Sequence, residues 1–310
     1  MKNKFIVIFS GVIFISFLAI YKGGGGVKKP ISESAKNSKI KIATSFYPLY
    51  FITSEIAKEK AAVVNLTPSG AEPHDFEPNT QNITNIYESR LLIINGSGFE
   101  PWVEKIEEDL RDKNVNILAV AKDLARSEID EQGGMIKDPH VWLDPILAKQ
   151  IVIIIKEAIK LIDPENKSFY EENGMKLESK MDELDEAFDQ GLSECRLKNI
   201  VTSHAAFGYL AKRYGLYQIA ITGISPDEEP SAQDLADIAD FAKNNSVKYI
   251  FFETLVNPRL AQTIADEIGA KTLVFNPLEG LTAEEKSAGS NYISIQKENL
   301  ENLKTALDCK

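Results

Sequence analysis

The sequence predicts an α/β protein of two lobes, each with a parallel-type sheet flanked by helices, joined by one long rigid helix. Three observations lead there. Short apolar, β-favouring runs alternate with helical patterns in each half of the chain, the rhythm of parallel strands with crossover helices. A charged, helix-favouring stretch over residues 165–192 separates the halves and repeats apolar residues at three- and four-residue spacing, as in Leu177, Met181, Leu184 and Phe188. A chain of 310 residues is also long for a single core.

The first lobe is expected over residues 39–163. Its strands read as Ile40-Lys41-Ile42-Ala43, residues 61–66, Leu91-Leu92-Ile93-Ile94 and residues 115–120, with helices at 47–60, 82–89 and 101–111 and a strongly apolar helix at 145–162. The third strand is stopped by Asn95 followed by Gly96-Ser97-Gly98. The connecting helix occupies 164–192; at 1.5 Å per residue it spans roughly 40 Å, unless Gly174 breaks it. The second lobe, 193–310, repeats the rhythm: strands at 199–202, 217–222, 247–252 and 271–275, helices at 205–214, 231–244, 257–269 and 291–307. Ser203 reads as the cap of the first of these helices, and Ser231 with Asp234 reads as a near capping box.

Residues 1–22 are a targeting segment: Lys2 and Lys4 precede an unbroken apolar run from Phe5 to Tyr21, which Lys22 closes. They form either a signal peptide, with no obvious small-residue cleavage site, or an uncleaved membrane anchor. No cysteine follows the run to carry a lipid. Residues 23–38, rich in Gly, Lys, Ser and Pro, read as a flexible tether. The body is therefore expected outside the cytoplasm, periplasmic or on the cell surface. There, the only two cysteines, Cys195 and Cys309, are a disulfide candidate, with two free thiols as the alternative. The formal net charge of −11, from 35 basic and 46 acidic residues, argues against nucleic acid or anionic lipid as the main partner.

The chemistry concentrates in three compact settings, which hold the chain's only three histidines: Gly70-Ala71-Glu72-Pro73-His74-Asp75, Asp138-Pro139-His140-Val141-Trp142-Leu143-Asp144-Pro145 and Thr202-Ser203-His204-Ala205-Ala206-Phe207. In open α/β sheets ligands gather at the carboxyl ends of strands. His74 and His204 follow strands, Glu279 follows the last strand in Asn276-Pro277-Leu278-Glu279-Gly280, and His140 precedes the apolar helix. Two donors from each lobe would meet in the cleft between them. Three imidazoles and a carboxylate suit Zn²⁺ better than the oxygen-preferring Mn²⁺. Asp75, Asp138, Asp144 and Glu253 are candidates to accept an imidazole's other N–H.

At these residues the chain resembles the solute-binding proteins of metal ABC transporters, of the cluster A-I or zinc-uptake type, over roughly residues 39–309. The carriers are the first two settings above together with Ser203-His204-Ala205-Ala206-Phe207-Gly208-Tyr209 and Phe251-Phe252-Glu253-Thr254. The resemblance implies two lobes joined by one long helix, a buried metal between them, and His204 at a position where histidine accompanies zinc and glutamate manganese. It implies a carboxylate near the end of the final strand; Pro277-Leu278-Glu279 matches the version in zinc-binding members that include streptococcal laminin-binding proteins. It implies an ABC-type permease as partner, and it favours pairing of Cys195 with Cys309, since some members bear a similar pair. It implies capture of an ion; the protein is expected to be monomeric, and its N-terminal segment is where it could associate with a membrane. Many zinc members carry a histidine- and acid-rich loop; here the stretch 123–137 offers Glu128, Asp130 and Glu131 but no histidine.

The rival from another class is a zinc hydrolase, in which His74, His140 and His204 would hold a catalytic ion and leave a position for water. Neither H-E-x-x-H nor G-x-S-x-G occurs in the chain. A metal-loaded surface adhesin is a further reading, and nothing in the sequence separates adhesion from transport.

Overall fold

The computed structural model describes residues 39–129 and 135–310. The targeting segment and tether expected over 1–38, with part of the acid-bearing loop, lie outside the described residues. The first sheet comprises β1 (Ile40–Thr44), β2 (Ala61–Asn65), β3 (Leu91–Ile94) and β4 (Asn116–Ala119) in the order β2-β1-β3-β4, all pairs parallel. The second comprises β7 (Asn199–Thr202), β8 (Tyr217–Ala220), β9 (Tyr249–Phe252) and β10 (Lys271–Val274), with order β10-β9-β7-β8 and again all parallel. Read from its second strand, each sheet has the same order, second-first-third-fourth. Both therefore reverse direction of winding beside their first strand, and crevices open there at the carboxyl ends.

The helices are α1 (Tyr47–Ala57), α2 (Thr80–Tyr87), α3 (Glu107–Asp112), α4 (Pro145–Ile162), α5 (Lys167–Leu192), α6 (Gly208–Arg213), α7 (Ala232–Asn244), α8 (Arg259–Ile268), α9 (Ala283–Ser287) and α10 (Tyr292–Leu307). The long connector is unbroken at Gly174. A Cβ there would come within 2.4 Å of the Lys156 side chain, so the missing side chain lets α4 lie close against α5. Lys156 crosses this contact, its stem buried and its ammonium paired with Glu171 at 2.8 Å and Glu178 at 2.9 Å. Tyr170, Leu177, Met181, Leu184 and Phe188 form the buried stripe of α5. They belong to one apolar cluster that also includes Ile42 and Ile52 of the first lobe and Phe207 and Leu303 of the second. One face of the connector is thus buried along its length in a core shared by both lobes.

Ser231 and Asp234 cap α7 reciprocally, as the sequence predicts. Three local expectations change. The helix expected over 101–111 is a 3₁₀ turn, Pro101–Val103, and then α3, because Ile106 leaves helical geometry at φ −122° and ψ 3°. Ser203 is not a helix cap: its hydroxyl donates to the Phe251 carbonyl at 3.4 Å, and the segment after it opens as a 3₁₀ turn, Ala205–Phe207, with His204 at the cap position. An antiparallel pair absent from the sequence reading, β5 (Ser127–Ile129) with β6 (Met135–Lys137), lies between β4 and α4. Cys195 and Cys309 are disulfide-bonded, tying the chain after α5 to the end of α10.

Candidate metal centre

Each of the four donors is positioned by a different loop device. His74 sits on the loop after β2; its backbone N–H donates to Glu72 Oε1 at 3.0 Å, and its ring lies edge-on to Phe99 with centroids 4.6 Å apart. His140 leads a 3₁₀ turn, Val141–Leu143, that runs into α4, whose N-terminus Asp144 caps by accepting from the N–H groups of Ile146 and Leu147. His204 follows β7 directly. Glu279 follows β10 through Leu278, which has φ +61°, a left-handed backbone uncommon for a branched residue. That turn is held by Asn276, whose Oδ1 accepts from the Leu278 N–H at 2.7 Å, and Asn276 is itself anchored to α10 by Asn299.

These devices bring the predicted residues together. The ligand atoms of His74, His140, His204 and Glu279 all lie within 4.8 Å of one another. Nε2 of His140 is 3.3 Å from Nε2 of both His74 and His204. Glu279 Oε1 is 3.3 Å from Nε2 of His74, 3.5 Å from that of His140 and 3.3 Å from that of His204. The other carboxylate oxygen, Glu279 Oε2, is buried with no hydrogen-bond partner among the described residues. His140 and His204 are fully buried and Glu279 nearly so, whereas His74 keeps 10% of its side-chain surface exposed.

Second partners orient two of the rings. Asp138 Oδ1 is 2.8 Å from Nδ1 of His140, and Glu253 Oε1 is 2.7 Å from Nδ1 of His204. Each carboxylate also accepts the backbone N–H of the same histidine. A proton held on Nδ1 leaves the Nε2 lone pair facing the cluster. The other two candidates do other work. Asp144 caps α4 and pairs with Arg213 Nε at 2.7 Å, and Asp75 is exposed and faces Asp227, whose carboxyl is raised by burial and by Asp75.

The electrostatics follow from burial and proximity. Burial opposes charge on His140, but hydrogen bonds to Asp138 and Glu279 outweigh it and hold the imidazole above its ordinary range. At His204 burial is likewise outweighed, by Glu253 and Glu279, and the shift upward is larger. Burial would raise Glu279, yet His204, His140 and His74 draw its carboxyl well below the usual range. Glu72, which the sequence reading passed over, is pushed up to about 8 by burial and by Glu279.

The segment carrying His140 belongs to the first lobe in sequence but is held by the second. The Tyr209 hydroxyl donates to the Asp138 carbonyl at 2.8 Å, Trp142 Nε1–H to the Pro277 carbonyl at 2.8 Å, and Gln296 Nε2–H to the Leu143 carbonyl at 3.2 Å. The Tyr292 hydroxyl donates to the Trp142 carbonyl.

Two parallel α/β lobes around a buried cluster of three imidazoles and a carboxylate, joined by a helix packed into both, define a two-lobed metal-binding protein of the solute-receptor type. Over residues 42–306 the chain matches the family described as zinc-uptake complex component A, periplasmic (ZnuA), and it belongs to that family. It is 39% identical over 307 residues to the high-affinity zinc uptake system protein ZnuA of Bacillus subtilis, covering 96% of each chain. Among solved structures it is similar to the laminin-binding adhesin Lmb of Streptococcus agalactiae, at TM-score 0.80 and 35% identity over 86% of this chain and 99% of that one. It is similar also to Zn(II)-bound AdcA of Streptococcus pneumoniae, at TM-score 0.76 and 39% identity, over 88% of this chain but only 59% of that longer one. The family is one of extracytoplasmic uptake components, so the hydrolase reading falls. Among the described residues no helix is long and apolar enough to cross a membrane.

Proposed function

We propose that the protein captures Zn²⁺ at His74, His140, His204 and Glu279 and delivers it to an ABC-type permease. The observation that carries this reading is the set of separations in the cluster. Donors at about 2.05 Å from a tetrahedral ion stand about 3.3 Å apart along the tetrahedron's edges. Five of the six donor separations run from 3.3 to 3.5 Å, and all six lie within 4.8 Å. Nitrogen-rich donors at that spacing favour Zn²⁺ over Mn²⁺, which prefers oxygen and more ligands. The zinc named for the Bacillus subtilis and AdcA relatives supports the same ion.

Capture and release follow from what is fixed and what is not. In this reading residues 39–163 and 193–310 act as lobes about the connector 164–192, and the protein works as a monomer. The connector and the cross-lobe hydrogen bonds to the His140 segment resist wide opening. His74 is the partly exposed donor and rides on a loop, so exchange proceeds by movement of that loop. Metal analysis of the purified protein, followed by competition between Zn²⁺ and Mn²⁺ against a chromophoric chelator, tests the assignment. Preference for Mn²⁺, or a stoichiometry far from one ion per chain, overturns it. The surface-adhesin reading rests on the similarity to Lmb, and solid-phase binding to laminin is its test.

A further inference from the structure

The loop after β3 contains a buried carboxylate that the binding chemistry above does not use. Glu100 is 7% exposed. Its Oε1 accepts from the Ser45 hydroxyl at 2.6 Å and the Asn95 N–H at 2.7 Å, and its Oε2 accepts from the Gly96 N–H at 2.8 Å. Three consecutive residues of this loop are left-handed: Gly96 at φ +79°, Ser97 at +58° and Gly98 at +90°. Such a backbone persists only where the surroundings over-determine it, and a carboxylate accepting two successive N–H groups from the loop's first residues does that. Gly96 is further fixed by contact, since a Cβ there would stand 2.9 Å from Cβ of Ala119.

The loop held in this way touches both histidines of the first lobe. Asn95 Nδ2–H donates to the Pro139 carbonyl at 2.9 Å, on the peptide immediately before His140. Phe99, the residue before Glu100, lies edge-on to the His74 ring and also packs against Trp142, with centroids 5.4 Å apart. Trp142 in turn lies 5.1 Å from the His140 ring. From these contacts we infer that Glu100 is a positioning residue for the metal cluster, acting through Asn95 on His140 and through Phe99 on His74. A buried carboxylate is dispensable for packing alone: burial pushes it up to about 7 against the pull of its three donors. Its use lies in the shape that it gives to residues 95–100.

This inference rests on the zinc reading, and the experiment separates the two. The full-length protein and Glu100→Gln are compared by Zn²⁺ dissociation rate, measured by chelator capture, and by the visible spectrum of the Co²⁺-loaded form, which reports donor geometry. The glutamine keeps size but presents an amide N–H₂ where one N–H donor now finds an acceptor. We expect dissociation roughly 10-fold faster or more, within the range typical of outer-shell changes, with altered Co²⁺ bands. Lys156→Met, which removes a buried charge from the α4–α5 contact, should lower thermal stability and leave the bands unchanged. Glu100→Gln that folds with rate and bands like those of the parent overturns the inference and leaves the zinc reading intact. If Glu100→Gln does not fold, Asn95→Ala and Phe99→Leu decide, since both leave the Glu100 backbone contacts in place. Faster release from either one supports the positioning role, and parental behaviour in both overturns it. A parent that takes up neither Zn²⁺ nor Co²⁺ overturns the zinc reading and the inference with it.

Discussion

Consider the metal-free protein as the pH is lowered from about 7.5 to about 5.5, across the ordinary histidine range. His140 and His204 are both held above the ordinary histidine value by buried carboxylates, and Glu279 is held well below the usual carboxylate range by the imidazoles around it. In the metal-free cluster these interactions favour protonated imidazoles at His140 and His204 and an ionised Glu279. Zinc needs the Nε2 lone pairs, so it competes with those protons and its binding releases them. The apparent association constant then falls as pH drops through the raised values, by up to about 10-fold per pH unit for each proton displaced. Calorimetric titration in buffers of different ionisation enthalpy reads the proton number directly; a value below one at pH near 6.5 refutes the assignment of charge within the cluster. Stability moves the other way. A raised imidazole stabilises the metal-free fold fully below about 6.5, and that contribution is lost as pH rises through the folded value. The lowered Glu279 stabilises above about 4.5, and its contribution is lost as pH falls through its folded value. The cluster therefore favours the metal-free fold most between about 4.5 and 6.5. The melting points with and without zinc should converge as pH falls toward that window, and divergence contradicts the reasoning.

Further outcomes follow from single contacts. Glu279→Ala leaves three imidazoles and an open fourth position, and should weaken zinc binding beyond the roughly 100-fold upper range of outer-shell substitutions; an unchanged affinity in competition titration removes Glu279 from the site. Asp138→Asn removes the charge behind His140 while keeping its shape, and should weaken binding roughly 10- to 100-fold with the fold intact by circular dichroism. Reducing the Cys195–Cys309 bond, which spans a sequence separation of 114, should destabilise the protein by at most about 5 kcal/mol in the chain-entropy view, read by denaturant unfolding. Zinc affinity should not change, because Cys195 lies before the start of β7 and the site lies beyond its end.

Much of this arrangement is legible in the sequence because it depends on local pattern. Runs such as Leu91-Leu92-Ile93-Ile94 declare buried parallel strands, and strand ends mark where ligands gather, so His74, His204 and Glu279 could be grouped before any coordinates. Glu253, 49 residues beyond His204, was reachable by the same rule because it directly follows β9. What stayed hidden depends on backbone geometry and on distant partners. Asp75 is adjacent to His74 in sequence yet faces Asp227, while Glu72, two residues away, takes the His74 N–H. Glu100 reads as an ordinary loop acid; only three left-handed residues in a row turn it inward. The β5–β6 pair has three residues per strand, too short for alternation to be recognised. Ser203 looks like a cap because it precedes a helical run, but the first turn there is 3₁₀ and its geometry gives the serine no amide to accept from.

The proton count also bears on how a buried site with four converging donors exists without its ion. Three imidazoles and a carboxylate in near contact would leave an uncompensated buried anion if every ring were neutral, at a desolvation cost of several kcal/mol. Protons on the raised imidazoles of His140 and His204 offset part of the charge of Glu279, Asp138 and Glu253, and Glu279 Oε1, 3.5 and 3.3 Å from their Nε2 atoms, is placed to accept from them. Exchange of Zn²⁺ for those protons then limits the change in buried charge. The lobes need not move apart to accommodate a new charge, and the hydrogen bonds from Tyr209, Trp142, Gln296 and Tyr292 that lock the His140 segment across the lobes can persist in both states. A rigid frame and a charge-balanced exchange are thus two parts of one design. Loosening the frame should speed release, while removing Asp138 or Glu253 should alter the number of protons that zinc displaces.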